Sequence, residues 1–317
     1  MPYETGTTTS FDDLRTRILT FLQANGWTLS GNVIHRGNVY AALRAYPADL
    51  LVDGGQGESG GELTSKTPYD FGRILAACYG TQVAFPSTYH LFVHTNPDMF
   101  LCVLNYATLN VQWLTFGELS KYGSWNGGQY FGASYCMSNG NENNWQQRFH
   151  NHYCYDYNTN NSVVRPLGIG YFWAAKHDDL EAYQTSNMNM VCDIDGSLGD
   201  WIDNRGLQPG PNFNGSFFSR DIVVNSPNNF NSQTALVPVH VYASRPGAFC
   251  SLIGHTEHTR YCNMKHYNVG DILTLGADKW MVFPHQKKSN LTLNDSNQFA
   301  STGETGLLGF AVRYDGP

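Results

Sequence analysis

Charge is what this chain has least of. Asp, Glu, Lys and Arg make up 14% of its 317 residues, against roughly a quarter in an average soluble domain. Its surface must therefore be polar without being charged, and Asn, Ser, Thr, Gly and Tyr supply that polarity. The net charge of −7 argues against a nucleic-acid partner, because phosphate binding needs a concentrated excess of Lys and Arg. The densest basic patch is "HQKK" at 285–288, expected to be a solvated hairpin end. No apolar run approaches the ~18 residues of a membrane span, and the start "MPYETGTTTSFDD" has neither a basic nor an apolar signal region, so no membrane partner is expected. Seven cysteines (Cys78, Cys102, Cys136, Cys154, Cys192, Cys250 and Cys262) are an odd number at irregular spacings. A disulfide framework is not expected, and the chain reads as one made in a reducing cytosol.

Catalytic signatures are scarce too. There is no HExxH motif, since "HTEH" has the wrong register for two helical ligands around a general base, and no G-x-S-x-G elbow or paired-cysteine motif. The glycine run "DGGQGESGGEL" at 53–63 lacks the Lys-Ser/Thr ending of a phosphate loop and is expected to be an exposed mobile loop. No cofactor is implied.

What the chain has in quantity is Gly (32), Tyr (19) and Phe (18). The expected fold is mainly β with some α: antiparallel, sandwich-like sheets, an N-terminal amphipathic helix and long loops rich in Asn, Gly and aromatics. In "SFDDLRTRILTFLQANG", Phe11, Leu14, Ile18, Phe21 and Leu22 recur at helical spacing, with Ser10 as N-cap, Asp12 and Asp13 in the first turn, and Asn25-Gly26 as the stop. A second, short helix is expected in "TPYDFGRILAACYG", with Thr67 as cap, Pro68 at its first position, Phe71, Ile74, Leu75 and Cys78 on one face, and Cys78 a core thiol. "NVIHRGNVYAALRAY" reads as paired strands. Residues 87–116 read as a three-stranded antiparallel meander whose continuous apolar runs imply burial on both faces. Strands return at 235 with "ALVPVHVYASRP" and "AFCSLIGH". "DILTLGADKWMVFP" is a hairpin turning at Gly276–Lys279, and "LLGFAVRYD" alternates Leu308, Phe310, Val312 and Tyr314 as a half-buried strand. These readings divide the chain into 1–120, a loop-rich segment 121–232 and a β module 233–317, or join it in one continuous domain. In the middle segment Tyr130, Phe131, Tyr135, Trp145, Tyr171, Phe172, Trp173 and Trp201 are candidate anchors of ordered loops.

Three clusters carry the residue types of a site. In "HNHYCYDYN", His150, His152 and Cys154 alternate, so a strand would point all three to one side, as zinc ligands awaiting a fourth. A partner group, His255, His258 and Cys262 in "HTEHTRYC", shares a face only on a helix, and its neighbours look strand-like. Loop or internally bonded histidines explain both groups, and neither is expected to hold a metal. "DIDGSLGDWIDN" gathers Asp193, Asp195, Asp200 and Asp203. An EF-hand loop would need Asp or Asn, Gly and Glu where Ser197, Leu198 and Asn204 stand, so consecutive turns are expected. Trp125 and Trp145 beside Asn are candidate sugar-stacking platforms, and the same residue types serve equally in a protein interface.

Several stretches resemble a known class of protein. "MPYETGTTTSFDDLRTRILTFLQANGWT", "YHLFVHTNPDMFLCVLNYATLNVQWLTFGEL", "GSWNGGQYFGASY", "LVPVHVYASRPG", "YNVGDILTLGADKWMVFPHQKK" and "TGLLGFAVRYD" resemble virion structural proteins of tailed bacteriophages, the tail or baseplate-associated components. The resemblance implies a non-enzymatic part of the tail, its tip or collar, built in the host cytoplasm and present in many symmetric copies. Its partners would be other copies of itself and other tail proteins. The polar arm "MPYETGTTTS" would then order on a neighbouring subunit. A module binding host surface polysaccharide or another receptor on the same particle, and a metal-dependent hydrolase, are the alternatives.

Overall fold

The structure is a computed structural model that describes residues 1–66, 71–78, 81–137, 153–154, 165–166, 188–194, 201–203, 213–215, 234–245, 249–285, 287–288 and 308–316. It is mainly β, with three large antiparallel sheets and, among the described residues, one α-helix, Phe11–Ala24.

The central sheet runs, from edge to edge, Tyr3–Thr8, Ser87–His94, Met99–Ala107, Asn110–Glu118, Asn126–Ala133, Met188–Asp193 and Trp201–Asp203. Its middle is the expected meander, with Phe92 opposite Leu101 and Leu101 opposite Thr115. Both faces are covered, which is why these strands are apolar without alternation. Met99, Leu101, Val103, Val111, Trp113 and Tyr130 point into one core. Phe100, Cys102, Leu104, Leu114, Phe116 and Phe131 point into the other.

The first core is closed by a C-terminal sheet. Its order is Phe213–Gly215, Val237–Arg245, Phe249–Asn263, Leu308–Arg313, Asp278–Pro284 and Ile272–Leu275. The hairpin is present, and it turns more tightly than expected: Leu275 pairs with Asp278 across Gly276-Ala277, and Gly276 takes the φ of +63° such a turn needs. Phe310 and Val312 of the last strand, and Tyr314 just past its end, enter the core. Ala311 is also buried, among Cys262, Met264, Trp280 and Val282, so this strand is covered on both sides rather than one.

The second core is closed by the helix and a third sheet, ordered Tyr135–Met137, Phe71–Leu75, Asp49–Gly55, Val39–Tyr46, Val33–Arg36 and Thr28–Ser30. The helix forms as its sequence specifies. Ser10 caps it by accepting from the Asp13 N–H at 3.0 Å, and Asn25 ends it, followed by Gly26 at φ +84°.

Three expectations fail. The second helix does not exist: Phe71–Leu75 and Ala77–Cys78 are strands, and Leu75 spends its backbone N–H and C=O on the side chain of Gln112 at 2.7 and 2.8 Å. Sheet pairing with Asp49–Gly55 outweighs the short helical pattern; Thr67, Pro68 and the Cys78 side chain lie outside the described residues. Nor is 53–63 an exposed loop. Asp53, Gly54 and Gly55 are the buried end of a strand, and Gly57–Ser59 and Glu62–Thr64 form a hairpin. Gly54 is there for closeness of approach, since a Cβ would sit 2.3 Å from the Phe131 ring of the central sheet. The N-terminal arm, finally, orders on its own chain, as the edge strand Tyr3–Thr8 paired to Ser87–His94.

Candidate functional site

Of the clusters singled out by residue type, only one lies largely within the described residues, and the fold takes it apart. His255, His258 and Cys262 share the strand Phe249–Asn263; alternation sends His255 and His258 to opposite faces, and a bulge between Thr256 and Arg260 resets the alternation so that Cys262 parts from His258 as well. His255 faces away from the central sheet, stacked on Tyr122 at a ring separation of 5.3 Å. His258 faces inward and stacks on His94. Cys262 is buried in the outer satellite core, its Sγ 4.0 Å from Met264 Sδ. Burial pushes its thiol well above the ordinary range, as it does for Cys102, which leaves both as inert core groups. Among the described residues no three His, Cys, Asp or Glu side chains stand together as a metal would require.

For the 150–158 stretch, only Tyr153–Cys154 is described, as a strand paired with Arg165–Pro166; His150, His152 and the Cys154 side chain lie outside the described residues. Asp193 belongs to a strand and accepts from Asn126 at 3.4 Å, rather than opening a calcium loop. Asp195, Asp200 and the side chain of Asp203 lie outside the described residues. Trp125 is no platform: it is 9% exposed, its indole N–H donates to the Ile253 carbonyl at 3.2 Å, and Lys121 covers its ring. Trp145 is outside the described residues. The basic patch is not a free hairpin end either, since His285 is fully buried and Lys288 donates to the Tyr267 carbonyl at 2.6 Å.

What the fold brings together is two histidine groups. The outer one is assembled by a short crossing strand. Ser120–Lys121 leaves the central sheet and pairs with Gly254 and His255, and the Tyr122 N–H bonds the Ile253 carbonyl at 2.8 Å. This seats Tyr122 on His255, which lies directly opposite His240 in the neighbouring strand. Glu257 bonds His255 Nε2 at 2.8 Å. Burial first, then His255 and Arg260, hold the His240 imidazole below its ordinary value. Tyr122 is 41% exposed and Leu252, on the same outward face, 42%. Such a surface offers an aromatic ring, imidazoles and a carboxylate side by side, equipped for stacking and hydrogen bonding with a partner.

The inner group lies between the two sheets. His90, Phe92 and His94 alternate along Ser87–His94 and face the C-terminal sheet. His90 Nδ1 and the Tyr3 hydroxyl are hydrogen-bonded at 2.8 Å, and the His90 ring meets Phe283. His94 and His258 stack almost parallel, 4.4 Å apart and 10° from coplanar, and His258 Nε2 donates to the Pro97 carbonyl at 3.2 Å. The strand alternation in "YHLFVHT" already puts His90 and His94 on one face. The cross-strand pairing of His240 with His255 has no such local signal.

No family model matches the chain, and no curated protein is significantly similar to it.

Proposed function

We propose that the chain is a non-enzymatic structural component of a tailed-phage virion, in the tail, its tip, baseplate or collar, assembled in many copies with other tail proteins. The observation that supports this most is the outward face of the C-terminal sheet. There Tyr122 and Leu252 stand exposed beside His240 and His255, an apolar and aromatic patch of the kind that anchors a protein interface. The sparse charge of the chain and the resemblance of several of its stretches to virion proteins point the same way. Mass spectrometry of purified particles tests it: the protein should be present at a fixed multiple of other tail components. A monodisperse monomer absent from particles would contradict the proposal.

A second reading is favoured by the Tyr122 ring itself, which is partly exposed and stacked on His255, with Glu257 bonded to that imidazole, the residue types of a sugar-stacking site. On this reading the protein binds host surface polysaccharide, and Tyr122→Ala lowers that binding about tenfold, the loss of roughly 1.4 kcal/mol. Glycan-binding assays on wild type and variant decide it, and an unchanged affinity removes the reading.

A further inference from the structure

Buried polar groups are costly unless bonded, and the inner histidines are incompletely so. His94 Nε2 and His258 Nδ1 are buried and make no hydrogen bond among the described residues. The two rings are tolerable in this setting only as neutral imidazoles, because two stacked imidazolium ions in a dry interior would repel at close range. Among the described residues, most charges around them are already paired. From the third sheet, Arg36 donates to the His94 carbonyl at 2.6 Å and pairs with Asp98 of the adjoining turn at 2.7 Å. The Met1 amine pairs with Asp315 at 3.3 Å, and Arg313 with Asp278 at 2.6 Å. On the histidine strand itself, Glu257 is held by His255, and Arg260 lies over the Trp280 ring. Asp98, Asp315 and Asp278 are thus matched to cations, while Glu257, hydrogen-bonded to His255, opposes the effect of burial on His258 without outweighing it.

Two of the inner histidines touch the N-terminal segment directly, and His258 reaches it only through the His94 ring on which it stacks. His90 anchors Tyr3 through its hydroxyl, and Met1 Sδ lies against His94 Nδ1. Tyr3–Thr8 is an edge strand with one ladder partner and a largely half-exposed face, so it is the element in contact with the histidines that is least held by anything else.

We propose that His90, His94 and His258 form an acid-operated latch: when they take up protons, Tyr3–Thr8 leaves the central sheet.

The direction follows from burial. Desolvation lowers His90 to about 4 and holds His94 and His258 below the ordinary imidazole value; for His94, the facing His258, the chain amine and Arg313 add to it. With the strand released, the imidazoles return to about 6.5. The closed form is thus fully stable above about pH 6.5, and loses stability as pH falls from there toward the depressed values. Through that window each histidine multiplies the opening equilibrium by up to roughly tenfold per pH unit.

Hydrogen exchange on the full chain at about pH 7.5 and about pH 5, corrected for intrinsic rates, tests this. Peptides covering residues 1–8 and 87–94 should lose protection by about a hundredfold or more, while the helix Phe11–Ala24 keeps its own. The double variant H94Q/H258Q should lose most of that pH dependence. Unchanged protection in wild type, or a uniform loss that includes the helix, overturns the latch. If the variant does not fold, imidazole proton resonances of the wild type decide instead: a His94 that titrates near 6.5 in the closed state overturns it.

Discussion

At the scale of single residues, the most consequential polar group is Gln112. It is fully buried, and its amide bonds both the N–H and the C=O of Leu75, replacing there the peptide partner that a further strand would supply. Gln112→Leu keeps the volume and strands both backbone groups in an apolar core, where each unsatisfied group costs about 1–3 kcal/mol. The expected destabilisation is about 2–4 kcal/mol, read as a lower urea midpoint at unchanged slope. A loss under about 0.5 kcal/mol would mean that those groups find other partners. None of this is legible in "NVQWLTF", where Gln112 only interrupts an apolar run, because its partner lies 37 residues away. The inner histidines were half legible. Alternation along the strand aligns His90 with His94, but the ring that stacks on His94 comes from His258, whose Nε2 bonds a carbonyl 161 residues away.

At the scale of elements, local chemistry is decisive only where it is complete. The helix has a cap, acidic residues in its first turn, a continuous apolar stripe and a C-terminal stop, and it forms over Phe11–Ala24. Ser10→Ala removes the bond to the Asp13 N–H and should cost about 1 kcal/mol, with Ser10→Asp restoring most of it; thermal unfolding of the two variants checks both. The segment 71–78 carries the same apolar spacing over fewer residues, and there the sheet wins. An apolar pattern of a few residues fits a buried strand as well as a helix face, and the deciding contacts, to Asp49–Gly55 and Gln112, are not local. The glycines at 54 and 55 were misread for a related reason. In a sequence they signal freedom, but in the fold Gly54 gives up a side chain so that the Phe131 ring can lie against the strand.

At the scale of the whole molecule, the central sheet lines both cores, so the two are expected to fold as one unit. The sequence showed that its strands are buried on both faces, since they are apolar throughout. It could not show what covers them, because the covering sheets are drawn from residues 28–75 and 135–137 on one side and from 213–215 and 237–313 on the other. Leu101 and Leu104 lie in the same strand, Met99–Ala107, are both fully buried, and point into opposite cores. Leu101→Ala loosens the contact with the C-terminal sheet, and Leu104→Ala the contact with the helix and third sheet. Each should cost about 2–5 kcal/mol. Because either core is lined by the same strands, neither can melt and leave the central sheet dry. Both variants should therefore unfold in a single transition, with tryptophan fluorescence and backbone circular dichroism superimposing, and with the midpoint shifted as a whole. Two separated transitions in either variant would mean that the C-terminal sheet or the helix-bearing layer can detach while the rest stays folded.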